Sequence, residues 1–267
     1  MTRILFFILI PVLFLAGCSR NDEPEIVPVQ GRVIVLMYHR ITEGEAGNLY
    51  ERSSADLESD IQYLINNNIN IIDFQDLKKI KDSGKMPDRH CAILTFDDGD
   101  YSWYETAMPI LKEYRMKATF FLWTNMIERD SFLKWSEIEY MSNIMYPGGI
   151  RPFRFGSHSF SHPYLKASRL NFANTDEYNS FLDYEMGVSK DMIRAHVPVD
   201  IDILALPFGD GAGDPEIIAA AVRNGYSMIR TSIHGSITTS GFDPFQIPAL
   251  PMLDTTDPQE IGFYLYN

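Results

Sequence analysis

Two segments of the chain carry residue types that can do chemistry together: Thr95-Phe96-Asp97-Asp98-Gly99 and His158-Ser159-Phe160-Ser161-His162. Two adjacent carboxylates and two imidazoles can hold one divalent metal and still leave a carboxylate free as a base. The inventory points to metal-assisted hydrolysis. An Asp-Asp-Gly run alone is common in turns and calcium loops, so the histidine pair, spaced by four, gives the combination its weight. Among the other polar candidates, His39 and His234 each follow an apolar run, whereas His90 and His196 sit in no motif and read as solvent-facing. Cys91 heads the apolar run Cys91-Ala92-Ile93-Leu94 and reads as a small buried residue, not a nucleophile.

The elements that must position these groups follow from the hydrophobic pattern. Val33 to Met37 is a β-branched apolar run, a buried strand that delivers Tyr38-His39-Arg40 to one end of a sheet. Leu57, Ile61, Leu64 and Ile65 form a helix face over 54–67, with Ser53 or Ser54 as N-cap. A short strand over 69–72 and a small helix from Asp73 or Gln75 through Ile80 come next. Ala92 to Phe96 is a second buried strand, bearing the Asp pair at its end, and a helix is expected from Gly99 through Tyr114. Further strands are expected over 119–122, 153–157, 201–206, 226–233 and 245–252, and helices over 183–195 and 214–224, the latter with Pro215 at its first position and Gly225 at its end.

About seven strands, most followed by a helix, make right-handed βαβ units and a parallel sheet. The rhythm favours an α/β fold of the distorted (β/α) barrel type over an open doubly wound sheet. A barrel gathers strand C-termini on one face, so His39, Asp97, Asp98, Pro207 and His234 are expected there.

The chain of 267 residues is 45% hydrophobic and 22% charged, enough for one large domain, placed at 32–267. Its net charge of -13 argues against nucleic acid as a partner, because phosphate binding needs a basic footprint. At the N-terminus, Arg3 precedes an apolar run from Ile4 to Leu15, the length of a signal-peptide core and short for a membrane span. Leu15-Ala16-Gly17-Cys18 resembles the bacterial lipobox, which makes 1–18 a lipoprotein signal peptide and Cys18 the lipidation site. Residues 19–31 are polar and interrupted by Pro24 and Pro28, a flexible tether. The expected product is exported and lipid-anchored at the cell envelope, periplasmic or on the outer surface. Only Cys91 then remains as a free thiol, so no intrachain disulfide is expected.

The Thr95–Gly99 segment, His158-Ser159-x-x-His162 and the loop Pro207-Phe208-Gly209, in this order, resemble the polysaccharide deacetylases, the carbohydrate esterases built on the NodB homology domain. Val35-Leu36-Met37-Tyr38-His39-Arg40 and Lys117-Ala118-Thr119-Phe120-Phe121 are similar to the same family, so the likeness spans Arg32 to the C-terminus. The resemblance implies that Asp98, His158 and His162 bind the metal and that Asp97 is the base. Zinc is the default ion, with cobalt, iron or nickel also suited to the donors. It further implies that metal and base activate a water against an acetyl carbonyl and that a backbone N–H at Phe208 meets the oxyanion. Aromatic faces stack on sugar rings, so Tyr101, Trp103, Tyr104 and Trp123 are candidate walls. His39, Tyr101, Trp103 and Pro207 are the expected substrate contacts.

The sequence departs from the family in two places. Many members carry an Arg two residues before the Pro of the third motif, where this chain has Ala205; others carry one after a Pro in the last strand, where Ala249 follows Pro248. Asp97 is therefore expected to lack its usual orienting cation. The family's acid, a His in the last strand, is missing from 247–252, leaving His234 as substitute. The leading expectation is a metal-dependent hydrolase that removes acetyl groups, N-acetyl first, from an envelope or extracellular polysaccharide. The alternatives are an O-acetyl esterase on a plant glycan such as xylan, or a catalytically weak carbohydrate-binding homologue.

Overall fold

A computed structural model describes residues 30–267. The expected signal peptide with Cys18, and the expected tether up to residue 29, lie outside the described residues. Gly31, placed in the tether by sequence, is already buried and donates its N–H to Pro87 O at 2.7 Å, so packing begins just before Arg32.

The strands are β1 (Val33–Tyr38), β2 (Arg40–Thr42), β3 (Glu51–Ser53), β4 (Asn70–Ile71), β5 (Cys91–Asp98), β6 (Ala118–Leu122), β7 (Phe153–Ser157), β8 (Ile203–Ala205), β9 (Met228–Arg230), β10 (Ser236–Ile237) and β11 (Leu250–Pro251). Helices are α1 (Ser54–Asn66), α2 (Phe74–Ser83), α3 (Met108–Glu113), α4 (Trp135–Ser142), α5 (Thr175–Arg194), α6 (Pro215–Arg223) and α7 (Gln259–Tyr266). The main sheet runs β10-β1-β5-β6-β7-β8-β9, with β11 beside β1 and β4 beside β5; β2 and β3 pair separately. All its pairings are parallel except that of β10 with β1. The expected barrel-type α/β fold is the observed one.

The last expected strand, 245–252, does two jobs. Its first half lies along β9, where Ile247 N donates to Ile229 O at 3.0 Å and Thr231 N to Ile247 O at 2.8 Å. Its second half becomes β11 and pairs with β1 through Leu36 and Met37. One extended segment therefore joins the two ends of the curled sheet.

Strand periodicity sorts the core into two layers. Val33, Val35 and Met37 of β1 share an inner cluster with Ile93, Phe121, Ile203, Ala205, Met228, Ile247 and Ala249, and Phe74 and Leu77 of α2 plug the end where the strands begin. Ile34, Leu36 and Tyr38 belong to the outer cluster between sheet and helices, with Leu94, Phe96, Phe120 and Phe155. Gly156 on β7 has a physical reason: a Cβ there would lie 2.5 Å from the Phe121 ring. Phe121 is fully buried and meets Phe74 edge-on at 6.0 Å, so Phe121→Ala would cost about 3–5 kcal/mol.

Helix starts obey their caps. Ser53 caps α1, Asp73 caps α2 in a capping box, and Asp214 caps α6 with Pro215 at its first turn. Helices α4 and α7 were not expected, and two expected helices start elsewhere. The helix after Gly99 begins late, as a π-helical turn at Trp103–Ala107 that runs into α3. Helix α5 starts at Thr175 and not at Asp183, because Asn174 caps it through Glu177 N and Tyr178 and Leu182 extend its buried stripe. Cys91 is 2% exposed and its thiol is pushed up to about 11 by burial, in keeping with an inert core residue.

Candidate active site

Strand β5 ends on the two carboxylates. Asp97 points into the barrel and is 2% exposed, while Asp98 takes φ 92° and so turns at the strand end. The turn brings both carboxylates to one imidazole: His158 Nε2 lies 3.8 Å from Asp97 Oδ2 and 3.6 Å from Asp98 Oδ1.

His158 follows β7 directly, and its N–H donates to Leu122 O at 2.9 Å. Its ring Nδ1 is 2.9 Å from Ala205 O. A carbonyl only accepts, so Nδ1 carries the proton and Nε2 offers its lone pair to the site. His162 was expected on the same face of a helical turn; it lies instead on an irregular loop. Ser159 and His162 both adopt left-handed backbone, at φ 63° and 58°. Glu185 of α5 holds this loop, accepting from Ser161 N at 2.7 Å and Ser161 Oγ at 2.5 Å, and its carbonyl accepts from Phe160 N at 2.9 Å. The His162 ring is wedged between Trp123, stacked at 4.7 Å, and Phe208, edge-on at 4.6 Å.

Asp98, His158 and His162 form a group able to hold a metal ion. The two Nε2 atoms are 3.1 Å apart, and Asp98 Oδ1 is 3.4 Å from His162 Nε2 and 3.6 Å from His158 Nε2. Zinc bonds of about 2.0–2.1 Å in tetrahedral arrangement separate donors by about 3.3–3.4 Å, so the donor triangle fits. Burial drives His158 down to about 3 and His162 down to about 4, so both are neutral donors at neutral pH. Burial and the charge of Asp97 raise Asp98 to about 7. Below that pH the carboxyl carries a proton that a bound cation would displace.

Asp97 behaves oppositely. Burial pushes it up, but Arg230, with help from His158 and His39, outweighs burial and holds it below the usual carboxylate value. Arg230 Nη2 pairs with Asp97 Oδ2 in a short contact, while Asp97 Oδ1 is buried with no hydrogen-bond partner among the described residues. One oxygen is clamped and the other is free to take a proton. Arg230 is 1% exposed, and its guanidinium lies 5.3 Å from the Phe121 ring centre and donates to Met37 Sδ at 2.8 Å.

The expectation that Asp97 lacks an orienting cation is thus corrected. Ala205 and Ala249 are buried in the barrel interior, and the cation comes from the neighbouring strand β9. A signal was present in Met228-Ile229-Arg230. Alternation puts Arg230 on the inward face with Met228, and a buried arginine there requires an anion.

The site opens into a cavity of about 490 Å³ whose walls include His39, Tyr50, Leu206, Phe208, Ser232, His234 and Leu253. A second cavity of about 230 Å³ shares His39, Tyr50, Asp97 and Asp98 with it. His39 stands between the two. Burial lowers its pKa, and its Nδ1 is buried without a partner. His234 is exposed, at the rim of the larger cavity. Phe208 lines that cavity in a left-handed turn at φ 57°, with Gly209 packed so tightly on Ser232 that a Cβ would sit 1.8 Å from its Oγ. Two expected contacts are corrected. Pro207 is buried beneath the turn, which exposes Phe208 instead, and Trp103 is fully buried, donating its indole N–H to His39 O at 2.7 Å. Trp103 supports a wall residue and is not itself a wall. Tyr101 lines a separate cavity of about 300 Å³. His196 pairs with Glu139 at 2.7 Å, and His90 Nδ1 accepts from Arg32 N at 3.0 Å, both away from the site.

Sequence missed two supports of the site: Glu185, which fastens the His162 loop, and Arg52. Arg52 is buried, forks onto Asp60 at 2.6 and 2.7 Å, and donates to Leu253 O at 2.6 Å, while Tyr38 OH donates to Asp60 at 3.0 Å. This network ties β1, β3 and α1 to the Leu253 wall.

Comparison with known proteins agrees with this architecture. The sequence pattern of the family described as polysaccharide deacetylase matches residues 84–229. A poly-beta-1,6-N-acetyl-D-glucosamine N-deacetylase of Staphylococcus epidermidis is 24% identical over 254 residues, covering 90% of this chain and 86% of that protein. Among solved structures, a Streptococcus pyogenes deacetylase in complex with acetate superposes with a TM-score of 0.75 at 20% identity, covering 89% of this chain and all (100%) of that one. A de-N-acetylase of Aggregatibacter actinomycetemcomitans gives 0.74 at 18% identity, covering 88% of this chain and 100% of its own. Those two structures share the fold.

Proposed function

The chain belongs to the polysaccharide deacetylase family, and from that membership and the geometry above we propose that it hydrolyses N-acetyl groups on a poly-N-acetylglucosamine-type envelope polysaccharide. The observation that carries this reading is the Asp97 carboxylate, whose Oδ2 is held by Arg230 and lies 3.8 Å from His158 Nε2, and whose Oδ1 has no hydrogen-bond partner among the described residues.

Asp98, His158 and His162 would hold a divalent ion, zinc by their chemistry, with cobalt, iron or nickel as substitutes. When bound, such an ion acts as a Lewis acid toward the acetyl oxygen and the attacking water. Asp97 Oδ1 accepts the proton that the water gives up as its oxygen bonds to the acetyl carbon. Arg230 keeps Asp97 ionised until that moment and fixes its direction. The turn at Phe208 presents backbone to the developing oxyanion. As the C–N bond breaks, the proton passes from Asp97 to the amine nitrogen, and acetate leaves. His39 is favoured over His234 as the side chain that hydrogen-bonds the leaving amine, because it lines both cavities with Asp97 whereas His234 is exposed at the rim.

The reading includes export and anchoring through lipidated Cys18, with the polar stretch from Ser19 to Gln30 as tether. Among the described residues no helix is long and apolar enough to cross a membrane. The weak-homologue alternative rested on Ala205 and Ala249, and Arg230 removes its motive. The N-acetyl reading is preferred over an O-acetyl ester on xylan because of the named activity of the Staphylococcus relative.

The test is acetate release from matched N-acetyl and O-acetyl oligosaccharides, with zinc, cobalt, iron and nickel added back in turn. Release from the amide substrates, and loss of both release and bound metal in Asp98→Ala, are expected. Undiminished turnover in Asp98→Ala would sink the reading.

A further inference from the structure

Alternation along β1 sends Val33, Val35 and Met37 into the barrel, and Met37 is the last of the three, at the end of the strand where the site lies. It lines the 490 Å³ cavity together with Asp97 and Arg230, and no other methionine does. The proton transfers described above make no use of its sulfur.

That sulfur touches the group that holds the base. Arg230 engages Asp97 Oδ2 through Nη2 and Met37 Sδ through Nη1, the latter at 2.8 Å, whereas its Nε is buried with no partner among the described residues. A thioether is a weak acceptor, and a buried donor left without an acceptor is costly. The guanidinium is therefore held firmly at Nη2 alone. An oxygen atom added to the Met37 sulfur is a stronger acceptor, and it arises beside one nitrogen that has only sulfur for a partner and another that has none. Oxidation converts a flexible apolar side chain into a polar one, which in most of a core is plain damage. At Met37 the new oxygen meets waiting donors. The other sulfur of the described residues, Cys91, has its thiol pushed up by burial and lines none of the cavities at the site.

We propose that Met37 is an oxidant-responsive modification site: peroxide entering the catalytic cavity converts its thioether to a sulfoxide, whose oxygen draws the Arg230 guanidinium away from Asp97 and turns the enzyme down. In the step, a sulfur lone pair takes one oxygen of hydrogen peroxide, the O–O bond breaks, and the second oxygen leaves as water. Sulfur is oxidised by two electrons and the peroxide is reduced by two. Sulfoxide reductases reverse the change with a thiol as reductant, which makes the site a switch. The effect on rate rests on the deacetylase reading, while the chemistry rests on Met37 and Arg230 alone.

The experiment titrates the zinc-loaded full chain, and a Met37→Leu variant, with hydrogen peroxide. Three quantities are followed: sulfoxide at each methionine by peptide mass spectrometry, kcat on an N-acetylglucosamine oligomer, and the Nε–Hε signal of Arg230 by NMR, identified as the arginine signal that moves in Met37→Leu. In the parent protein kcat is expected to fall about tenfold in step with Met37 sulfoxide, the scale of one hydrogen bond to a charged group. The Arg230 signal shifts in parallel, and a methionine sulfoxide reductase with dithiothreitol restores both. Met37→Leu keeps after treatment the kcat it had before, although Met145, 49% exposed, is oxidised in both proteins. Complete oxidation of Met37 with kcat and the Arg230 signal unmoved would overturn the proposal. So would an equal loss of kcat in Met37→Leu, or a Met37 that stays reduced after the exposed methionines are consumed. If neither protein releases acetate before treatment, the deacetylase reading fails, and the mass and NMR readings still decide whether oxidised Met37 moves Arg230.

Discussion

Replacing Arg230 by methionine removes the cation that pairs with Asp97 and leaves a chain of similar length in the barrel. Both partners are buried, at 1% and 2% exposure, so the variant strands a carboxylate in a site shaped for an ion pair. Breaking such a pair costs about 3–5 kcal/mol of stability. The same loss acts on titration. Asp97 is held down by Arg230 against burial, and an opposite charge at this range lowers a carboxylate by about 1–3 pK units. Because its folded pKa lies below its unfolded one, the pair stabilises above the unfolded value, and that contribution fades as pH falls through the folded one. Without the cation, burial wins and Asp97 rises, so the base is protonated over a wider acidic range. The acid limb of kcat/KM is therefore expected to move up by about 1–3 pH units, with urea midpoints falling in parallel. Adding Asp97→Asn to Arg230→Met should recover part of the lost stability, since no charge is then stranded. An acid limb that stays where the parent has it would refute the assignment of Arg230 as the group that tunes the base.

Two further outcomes follow from the same geometry. With His158 and His162 neutral and Asp98 near 7, zinc binding to the metal-free protein should release about one proton at pH 6 and close to none at pH 9, as read by calorimetry in buffers of different ionisation enthalpy; equal release at both would contradict the Asp98 assignment. Arg52→Met should lower stability by about 3–5 kcal/mol and raise KM more than it lowers kcat, because Arg52 holds the Leu253 wall and touches no reacting group; urea titration with steady-state kinetics checks both, and an unchanged KM would disconnect the network from the cavity.

That Asp98, His158 and His162 come together was legible in local sequence, because strand ends and loops write their chemistry in short stretches: Asp97 and Asp98 close one buried strand, and His158 follows another. What escaped the sequence was each interaction that joins distant segments. The spacing of His158 and His162 suggests a helical turn, yet Glu185, far along the chain, draws the loop into left-handed backbone. The base's cation was sought at Ala205 and Ala249, since pattern matching looks at fixed positions. Physics asks only for a guanidinium on the inward face of some strand that ends near Asp97, and β9 provides it. The start of helix α5 is set by the Asn174 cap, with Tyr178 and Leu182 continuing the buried stripe ahead of the run from Asp183 on which the shorter expectation rests.

The segment over 245–252 that joins the sheet's two ends bears on how the protein is made. All three candidate metal donors have left the ribosome once residue 162 emerges, but the carbonyl that sets the tautomer of His158, the guanidinium that holds Asp97 and the segment that bolts β9 to β1 all come later. A nascent chain thus acquires the residues proposed to hold an ion well before those proposed to make such an ion useful. Competence arrives in two stages, and the second waits for the final strand.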